Sequence, residues 1–263
     1  HPLFSTRGVP GTHDVLLAHE TLDQLLNHNG AQTIHIPRFN KATDDRYETS
    51  QWSPIKHKPD IIILEGWCIG ATAQNEQQLL KPVNALEEHE DKVGTWRRYV
   101  NQQLATQYQA LFDRLECTIM LKAPSFQCVY DWRLEQEQKL IETLKESHSN
   151  DTRTMDEAQI QRFIQHYQRI TEHLLETLPK KAQYVFELNA QRKIQARKKQ
   201  IAFNNLNLNA LIFTDLDGSL LDHHSYSHQA ADITLTYLEQ NSIPVIPCSS
   251  KTQPEIESLR SDL

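Results

Sequence analysis

Two groups of residues in this 263-residue chain have types and spacing suited to phosphoryl transfer. The first begins with Arg7, His13 and Asp14, which lie in one turn-rich segment directly before a helix-like pattern. Cations can neutralise a transferring phosphoryl group, one carboxylate can hold Mg²⁺ or its water, and another can address a substrate hydroxyl. Further residues of these types follow along the chain: Arg38, Lys41, Glu65, Arg97 and Arg133. Each alone is a weak signal, because a single arginine is usually a surface charge.

The second group surrounds a DxDG motif near the carboxyl end of the chain. The run Leu211-Ile-Phe-Thr-Asp215-Leu-Asp217-Gly is a hydrophobic strand pattern that ends in two aspartates. A calcium loop of the EF-hand type is excluded, because the fifth and twelfth positions from Asp215 are Ser219 and Tyr226. A nucleophilic Asp215, with Asp217 as general acid and then base, fits the spacing better. Asp215 and the backbone carbonyl of Asp217 would also hold Mg²⁺.

The elements that would position these residues alternate between helix and strand patterns. Apolar residues at spacings of three and four predict helices over 14–26, 96–115, 129–147 and 160–178. Short, mainly apolar runs predict strands over 33–36, 118–121 and 184–188. The polar stretch 40–59 predicts a loop. This alternation indicates an α/β fold, with a parallel sheet and flanking helices.

One further run is typical of a strand buried on both faces of a parallel sheet. It extends from Asp60 to Leu64 and is followed by Glu65 and Gly66. Because α/β proteins bind ligands at the carboxyl ends of their strands, we expect Glu65 to lie at that edge of the sheet.

The character of the chain changes between residues 189 and 208. Its basic residues predict a helix tail followed by a linker: Arg192, Lys193, Arg197, Lys198 and Lys199. A solvated helix end is favoured over a nucleic-acid patch. A second α/β unit then begins, with strands predicted at 211–213 and 243–247. We therefore divide the chain into a first domain, 1–190, a linker, 191–207, and a second domain, 208–263.

Composition narrows the class of protein. The formal net charge is −7, whereas proteins that bind nucleic acids are usually basic. The four cysteines have no metal-binding spacing and predict reduced thiols in a cytoplasmic protein. The longest aliphatic run, Ile61 to Leu64, is far too short to span a membrane. We expect small-molecule substrates and neither a nucleic-acid nor a membrane partner.

The residues of four segments, and the order of these segments along the chain, resemble those of the plant-type D-glycerate 3-kinases. They are Arg7-Gly-Val-Pro-Gly-Thr-His-Asp14, Pro37-Arg-Phe-Asn-Lys41, Leu64-Glu-Gly-Trp-Cys-Ile-Gly70 and Trp132-Arg-Leu-Glu-Gln-Glu137. These kinases belong to the P-loop family of phosphoribulokinase and uridine kinase, and the resemblance covers residues 1–190. It implies a P-loop kinase-like parallel sheet and a kinase that uses ATP and Mg²⁺ to phosphorylate D-glycerate.

The resemblance also implies roles for individual residues. Asp14 would lie near the substrate hydroxyl, and Glu65 would act on Mg²⁺ or its water as a Walker-B-like residue. Arg133 would be a lid arginine that closes over the nucleotide. The remaining candidates would bind the substrate carboxylate or the phosphates: Arg7, His13, Arg38, Lys41 and Arg97.

The Gly-rich phosphate loop with which that family opens is missing. No GxxxxGK[ST] motif occurs in the 263 residues, so the chain has no such amide cradle and no P-loop lysine. The first residue is His1 and not methionine, which suggests a fragment. We expect the chain as given to turn over no ATP.

The second group resembles the mannosyl-3-phosphoglycerate phosphatases of the haloacid-dehalogenase (HAD) superfamily. The resemblance lies in Phe213-Thr-Asp-Leu-Asp-Gly-Ser219 and Ile243-Pro-Val-Ile-Pro-Cys-Ser-Ser-Lys-Thr252. It implies a partial Rossmann-like HAD unit in which Ser249 and Lys251 bind the phosphoryl group. The later lysine and acidic motif of that superfamily would lie beyond Leu263, so we expect negligible phosphatase activity.

Together the two resemblances imply part of a bifunctional protein. Its substrates would be D-glycerate, ATP and a glycosyl-3-phosphoglycerate, and its two reactions would serve glycosylglycerate synthesis. Two alternatives remain open at this point. One is a phosphatase with a noncatalytic kinase-like scaffold, and the other is a noncatalytic sensor of nucleotide or phosphoglycerate.

Overall fold

A computed structural model describes residues 1–40, 43–146 and 155–199, and the backbone of two short strands at 212–215 and 245–248. The chain divides into two compact units. The first comprises His1–Thr118 and Ser125–Ala182, and the second comprises Ile119–Pro124 and Gln183–Leu263.

The first unit is mainly helical. Its helices are α1 (Val15–Leu26), α2 (Glu76–Leu79), α3 (Ala85–Glu90), α4 (Thr95–Gln103), α5 (Gln109–Phe112), α6 (Phe126–Glu146) and α7 (Glu157–Thr177). A π turn, Leu104–Tyr108, joins α4 to α5. Short 3-10 turns lie at Pro2–Ser5, Thr49–Gln51 and Leu178–Lys180. All four predicted helices are confirmed, the second of them as α4, the π turn and α5.

Local sequence explains where the main helices begin and which face they bury. Asp14 caps α1, since its Oδ1 accepts a hydrogen bond of 3.0 Å from the Leu17 amide. A reciprocal capping box between Asp156 and Gln159 starts α7. The buried residues of α7 fall at helical spacing: Ile160, Ile164, Ile170 and Leu174. This face packs on α6 and α3, and each such side chain contributes about 1.5–3 kcal/mol by leaving water.

The region from 33 to 55 contains more strand than the sequence predicts. Strand β1 (Ile34–Ile36) pairs antiparallel with β4 (Ser53–Ile55), and β2 (Phe39–Asn40) pairs antiparallel with β3 (Asp45–Arg46). The prediction of a loop over 40–59 is therefore wrong in part. These strands have two or three residues each, which is too short for an alternating pattern to be visible in the sequence.

The predicted strand from Asp60 to Leu64 is not formed. Ile61 and Ile63 are 49% and 44% exposed, so the run is not buried on both faces. No other segment in the described part of the chain pairs with its backbone, and a strand exists only where a neighbour completes the hydrogen bonds. Glu65 is consequently exposed and does not lie at the edge of a described sheet.

The second unit contains a mixed sheet. Strand β5 (Ile119–Lys122) lies parallel to β6 (Tyr184–Leu188), which lies antiparallel to β7 (Ile194–Lys199). The parallel sheet expected from the sequence is thus confirmed for the pair β5–β6, whereas β7 makes the sheet mixed.

The predicted basic helix tail is wrong over residues 194–199, which form β7. Its basic residues lie mostly on the surface, and Lys198 Nζ reaches Glu187 of β6 at 2.7 Å. The pairing of β7 with β6 gives this stretch the backbone hydrogen bonds that a helix would otherwise supply. The predicted boundary at residue 190 falls within the β6–β7 hairpin, and the predicted linker beyond residue 199 lies outside the described residues.

Two strands are described near the carboxyl end, β8 (Ile212–Asp215) and β9 (Val245–Cys248). They pair in parallel with Asp215 opposite Cys248. Both strands were predicted from the sequence. The helices predicted between and after them lie outside the described residues.

Candidate functional site

The segment from Arg7 to Asp14, here called the RG loop, has a backbone that requires glycine at two positions. Gly8 and Gly11 have φ angles of +107° and +94°, a region that other residues rarely adopt. A Cβ atom at Gly11 would also lie 2.6 Å from the Tyr99 ring. Thr12 tightens the loop, since its hydroxyl accepts from the Gly8 amide at 2.9 Å and donates to the Val9 carbonyl at 2.8 Å.

Three aromatic side chains from distant parts of the chain hold the RG loop. Trp67 Nε1 donates to the Gly8 carbonyl at 2.7 Å, and the Tyr167 hydroxyl donates to the Arg7 carbonyl at 2.8 Å. The Tyr108 hydroxyl accepts from the Gly11 amide at 3.1 Å and lies 2.6 Å from Nδ1 of His13. The loop is therefore fixed by the π turn, by α7 and by the segment that follows Glu65.

Arg7 lies near His13, since its charge acts on the imidazole, and Arg7 and Asp14 pair with two neighbouring residues, Asp44 and Arg46. Both His13 and Asp14 are exposed. Burial of part of its ring and the positive charge of Arg7 lower the pKa of His13 below its ordinary value. Both effects favour a neutral imidazole beside the arginine cation.

The β2–β3 hairpin lies against the same loop through pairs of opposite charge. Arg7 forms an ion pair with Asp44, and its guanidinium carbon lies 4.4 Å from the centre of the Phe39 ring. Arg46 Nη1 donates to Oδ2 of Asp14 at 3.1 Å. Exposed ion pairs of this kind contribute about 0–1 kcal/mol, so an anionic ligand can compete with them.

A chain of aromatic contacts connects Arg133 to the RG loop. The Arg133 guanidinium carbon lies 5.8 Å from the Phe163 ring centre, and the Phe163 ring lies 5.1 Å from that of Tyr167. Tyr167 in turn meets Trp67 edge-on at 5.0 Å. Burial raises the pKa of Tyr167, and the charges of Arg7 and Arg133 partly oppose this rise. Both predicted cations therefore act on the same side chain.

Other predicted site residues lie elsewhere or make different contacts. Arg97 is buried, and its guanidinium donates to the Leu79 carbonyl at 2.8 Å and to Asp91 at 3.1 Å. We therefore infer a structural role for Arg97. Arg38 donates to the Gln51 carbonyl at 3.2 Å and lies over the ring of Tyr47.

Several predicted residues fall outside the described side chains. For Asp215 only the backbone is described, at the end of β8. The others lie outside the described residues altogether: Lys41, Asp217, Ser249 and Lys251.

Sequence reasoning missed the residues that hold the site. It assigned no role in the site to Trp67, Tyr108 or Tyr167. The position of Trp67, two residues after Glu65, was the one available hint. Tyr108 and Tyr167 lie 97 and 160 residues from their partners in the loop, and no local pattern reports such contacts.

Among the described residues no group of three or more His, Cys, Asp or Glu side chains could hold a metal ion. Mg²⁺ in phosphoryl-transfer sites is often held by one or two carboxylates together with substrate phosphates and water. The exposed Glu65 can supply one such oxygen, directly or through water. A single carboxylate is compatible only with a magnesium ion whose other ligands are phosphates and water. Of the described helices, none has the length and apolar character needed to cross a membrane.

A polar cleft of about 970 Å³ lies apart from the RG loop, at the end of α1 and beside β1. Its lining includes His28, His35 and Trp52 but none of the predicted site residues.

No family model matches the chain, but its sequence is similar to those of several kinases. It is 28% identical over 172 residues to an uncharacterised kinase of Schizosaccharomyces pombe, covering 64% of this chain and 58% of that protein. It is 30% identical over 175 residues to a probable ATP-dependent kinase of Saccharomyces cerevisiae, covering 63% and 54%. It is 30% identical over 141 residues to a chloroplastic D-glycerate 3-kinase of Arabidopsis thaliana, covering 51% and 28%. The chain thus spans a little over half the length of the two fungal kinases.

Solved structures show a shared fold. A D-glycerate 3-kinase of Cryptococcus neoformans superposes with a TM-score of 0.56 at 22% identity, covering 76% of this chain and 71% of that one. The structure of the YGR205w protein superposes with a TM-score of 0.57 at 25% identity, covering 74% and 66%. The chain therefore has the mixed α/β fold of these neighbours.

A separate short match concerns a phosphatase. The chain is 53% identical over 47 residues to a glucosyl-3-phosphoglycerate/mannosyl-3-phosphoglycerate phosphatase of Methanococcoides burtonii. That match covers 18% of this chain and 17% of the phosphatase.

Proposed function

We propose that this chain contains the part of an ATP-dependent kinase that binds the hydroxyl-bearing substrate, and that this substrate is D-glycerate. The observation that carries the proposal is the RG loop, which holds Arg7, His13 and Asp14 together on an exposed side within one network of contacts that also includes Arg133. Kinase relatives, one of them a D-glycerate 3-kinase, support it.

The chemistry of D-glycerate suits these side chains. A guanidinium binds a carboxylate through two parallel hydrogen bonds, which is the contact that Arg7 would make in place of its exposed pair with Asp44. A carboxylate beside a substrate hydroxyl can accept its proton as the oxygen attacks phosphorus, and Asp14 would have this role. His13 would donate a hydrogen bond to the substrate.

The nucleotide would approach from the side of Arg133 and Glu65. Arg133 would neutralise phosphate charge, and Glu65 would contribute an oxygen to the Mg²⁺ that accompanies ATP. Because no GxxxxGK[ST] motif occurs in the chain, we expect the 263-residue polypeptide to bind D-glycerate without consuming ATP. A longer polypeptide that joins such a motif to these residues is expected to phosphorylate D-glycerate.

Calorimetric titration of the 263-residue chain with D-glycerate tests the substrate. Losing a charge-assisted contact of about 1.5–3 kcal/mol in Arg7→Gln should weaken binding by about 10- to 100-fold. The matched control is Arg162→Gln, which removes another exposed ion-paired arginine, on α7 and away from the RG loop, and should leave binding unchanged. Failure of the unaltered chain to bind D-glycerate, or equal effects of the two variants, would contradict the proposal.

A coupled assay of ATP consumption tests the expected lack of turnover. Glycerate-dependent ADP formation by the 263-residue chain would show that the expectation is wrong. A noncatalytic sensor differs in one respect, since it predicts binding without turnover even in a longer polypeptide that carries GxxxxGK[ST].

A second candidate function concerns the part of the chain after residue 208. The short match to a phosphatase and the parallel strands β8 and β9 favour a HAD phosphatase unit acting on a glycosyl-3-phosphoglycerate. Because β8 and β9 are parallel neighbours, Asp215 and Cys248 end their strands at the same edge of this sheet. In this proposal Asp215 is the nucleophile and Asp217 the general acid and base, with Ser249 and Lys251 binding phosphate.

With both functions in one protein, the kinase would make 3-phosphoglycerate and the phosphatase would act on its glycosylated form, two steps apart. Mg²⁺-dependent phosphate release from a glycosyl-3-phosphoglycerate tests the phosphatase unit. We expect none from the 263-residue chain and release, lost on Asp215→Asn, from a polypeptide that includes a complete HAD unit. If Asp215→Asn leaves that release intact, the assignment of the nucleophile is wrong.

A further inference from the structure

We propose that Tyr108 is a positioning residue that holds His13 in the neutral form with its proton on Nε2, so that this N–H is presented to the substrate. The identity of that substrate as a hydroxy acid rests on the proposed function. The protonation state of His13 does not, because it follows from contacts within this chain.

The first step is the direction of the hydrogen bonds at the Tyr108 hydroxyl. The Gly11 amide can only donate, so its contact of 3.1 Å occupies an acceptor site on the hydroxyl oxygen. The hydroxyl proton then needs an acceptor, and Nδ1 of His13 lies 2.6 Å away. No other acceptor in the described part of the chain is within hydrogen-bonding distance of this hydroxyl.

The second step is the tautomer that this geometry selects. If Nδ1 carried the imidazole proton, the hydroxyl proton of Tyr108 would have no partner, although the residue is only 3% exposed. Leaving a buried polar group unsatisfied disfavours that tautomer by about 5- to 150-fold. The favoured arrangement therefore has the hydroxyl donating to an unprotonated Nδ1, which puts the single proton of the neutral ring on Nε2.

The third step is the environment of the ring. Partial burial and the nearby Arg7 both disfavour a charged imidazole. Nε2 has no hydrogen-bond partner among the described residues, and the side chain is exposed. His13 is thus arranged to donate a hydrogen bond to an anionic oxygen without itself being a cation.

The position of Tyr108 on the helix supports a dedicated role. It is the last residue of the π turn Leu104–Tyr108, and its ring meets Phe112 of α5 edge-on at 6.0 Å. A π turn contains one residue more than an α turn and so changes which side chains face a neighbouring segment, and such turns are frequent at functional sites. Here the turn directs a buried hydroxyl at two atoms of the RG loop.

Nitrogen NMR of the histidine rings in the 263-residue chain tests the inference without any ligand. Two-bond ¹H–¹⁵N correlations distinguish a protonated from an unprotonated ring nitrogen, and His13→Gln identifies the His13 signals. We expect His13 at neutral pH to show an unprotonated Nδ1 and a protonated Nε2. A wild-type His13 with its proton on Nδ1, or an even mixture of tautomers, would overturn the proposal even if every variant failed to fold.

Tyr108→Phe then tests the cause. Removing the hydroxyl leaves Nδ1 of His13 without a donor among the described residues, so the single-tautomer signature should be lost. Tyr130→Phe is the matched control, because it removes a hydroxyl that contacts Glu157 and not the RG loop. Unchanged signals of His166 and His173 would show that Tyr108→Phe is folded. An unchanged His13 in a folded Tyr108→Phe chain would refute the role of the hydroxyl.

Addition of D-glycerate separates this inference from the proposed function. A shift of the His13 Nε2 signal supports both. The expected tautomer without any such shift leaves the role of Tyr108 in place and contradicts D-glycerate as the substrate. A Tyr108→Phe chain that binds D-glycerate as tightly as the unaltered chain contradicts the claim that the N–H is presented to the substrate.

Discussion

Replacing Arg169 by methionine is expected to destabilise the first unit by about 3–5 kcal/mol. Arg169 on α7 faces Glu87 on α3, and their exposed side-chain fractions are 7% and 0%. Two hydrogen bonds join the pair, from Nε at 2.7 Å and from Nη2 at 2.6 Å. The guanidinium also donates to the carbonyls of Gln78 and Lys81 and to the side chain of Gln74, so one arginine fastens α7 to two other segments.

The magnitude follows from what the substitution leaves behind. Without Arg169, the buried carboxylate of Glu87 keeps one described donor to its oxygens, the Val83 amide at 3.1 Å. Removing one partner of a buried ion pair costs about 3–5 kcal/mol, because the remaining charge is uncompensated. Gln78 and Lys81 are exposed, so water can replace the bonds to their carbonyls and little should be added.

The chain contains a matched control on the same helix. Arg162 binds Glu90 with the same two-point geometry, at 2.9 and 2.6 Å, but their side chains are 54% and 38% exposed. Exposed pairs contribute about 0–1 kcal/mol, so Arg162→Met should cost no more than that. The difference in burial, and not in geometry, is therefore expected to separate the free energies of unfolding of the two variants by about 2–5 kcal/mol.

Urea unfolding followed by tryptophan fluorescence measures this difference. All four tryptophans, Trp52, Trp67, Trp96 and Trp132, lie in the first unit and report on it alone. The double variant Glu87→Met with Arg169→Met should recover part of the loss, since no charge is left buried. If the two single variants differ by less than about 1 kcal/mol, the interior around Glu87 is better hydrated than its burial indicates and the reasoning is refuted.

Two further predictions use the same fluorescence assay. Gly11→Ala should destabilise the first unit by more than about 2 kcal/mol, whereas Gly30→Ala should cost about 1–2 kcal/mol. Both glycines have positive φ, but a Cβ at Gly11 would lie 2.6 Å from the Tyr99 ring, whereas one at Gly30 would have no atom within 4 Å. Equal losses of stability in the two variants would contradict this steric argument. Burial lowers the pKa of His166 below 6.5, so the unfolded state binds more protons and stability should fall as pH drops below about 6.5. His166→Phe should weaken this dependence, and an unchanged slope between pH 5 and 7 would assign the effect to other groups.

Features determined by nearby residues were predictable from the sequence. The helices α1, α6 and α7 are long, periodic and, for α1 and α7, begin at capping aspartates, so their residues alone indicate them. The same holds for Arg7, His13 and Asp14, which the RG loop brings together because they are neighbours in the chain. Arg133 is connected to these three residues only because α6 packs on α7.

Residues whose role depends on distant partners were not predictable. Arg97 and Arg133 look alike as single cations in the sequence, yet Arg97 is buried against Asp91, whereas Arg133 is 23% exposed and pairs with Glu137 on its own helix. Glu87 and Arg169 gave no signal, since a charged pair is recognised as buried only after α3 and α7 are placed together. The aromatic residues that hold the RG loop were unpredictable for the same reason, because their partners are distant in the sequence.

The strand predictions separate these two kinds of information most clearly. The runs at 60–64 and 184–188 are both short and mainly apolar, but the second pairs with β5 and β7 whereas the first has no partner in the described part of the chain. The basic stretch at 194–199 shows the opposite error. Its composition indicated the end of a helix, but it forms a strand paired with β6. A residue pattern indicates which secondary structures a segment can adopt, but a strand forms only where a neighbouring strand pairs with it. The role proposed for Asp14 is therefore the stronger, because its position depends on a local helix cap, whereas that of Glu65 depends on a pairing that its own sequence cannot provide.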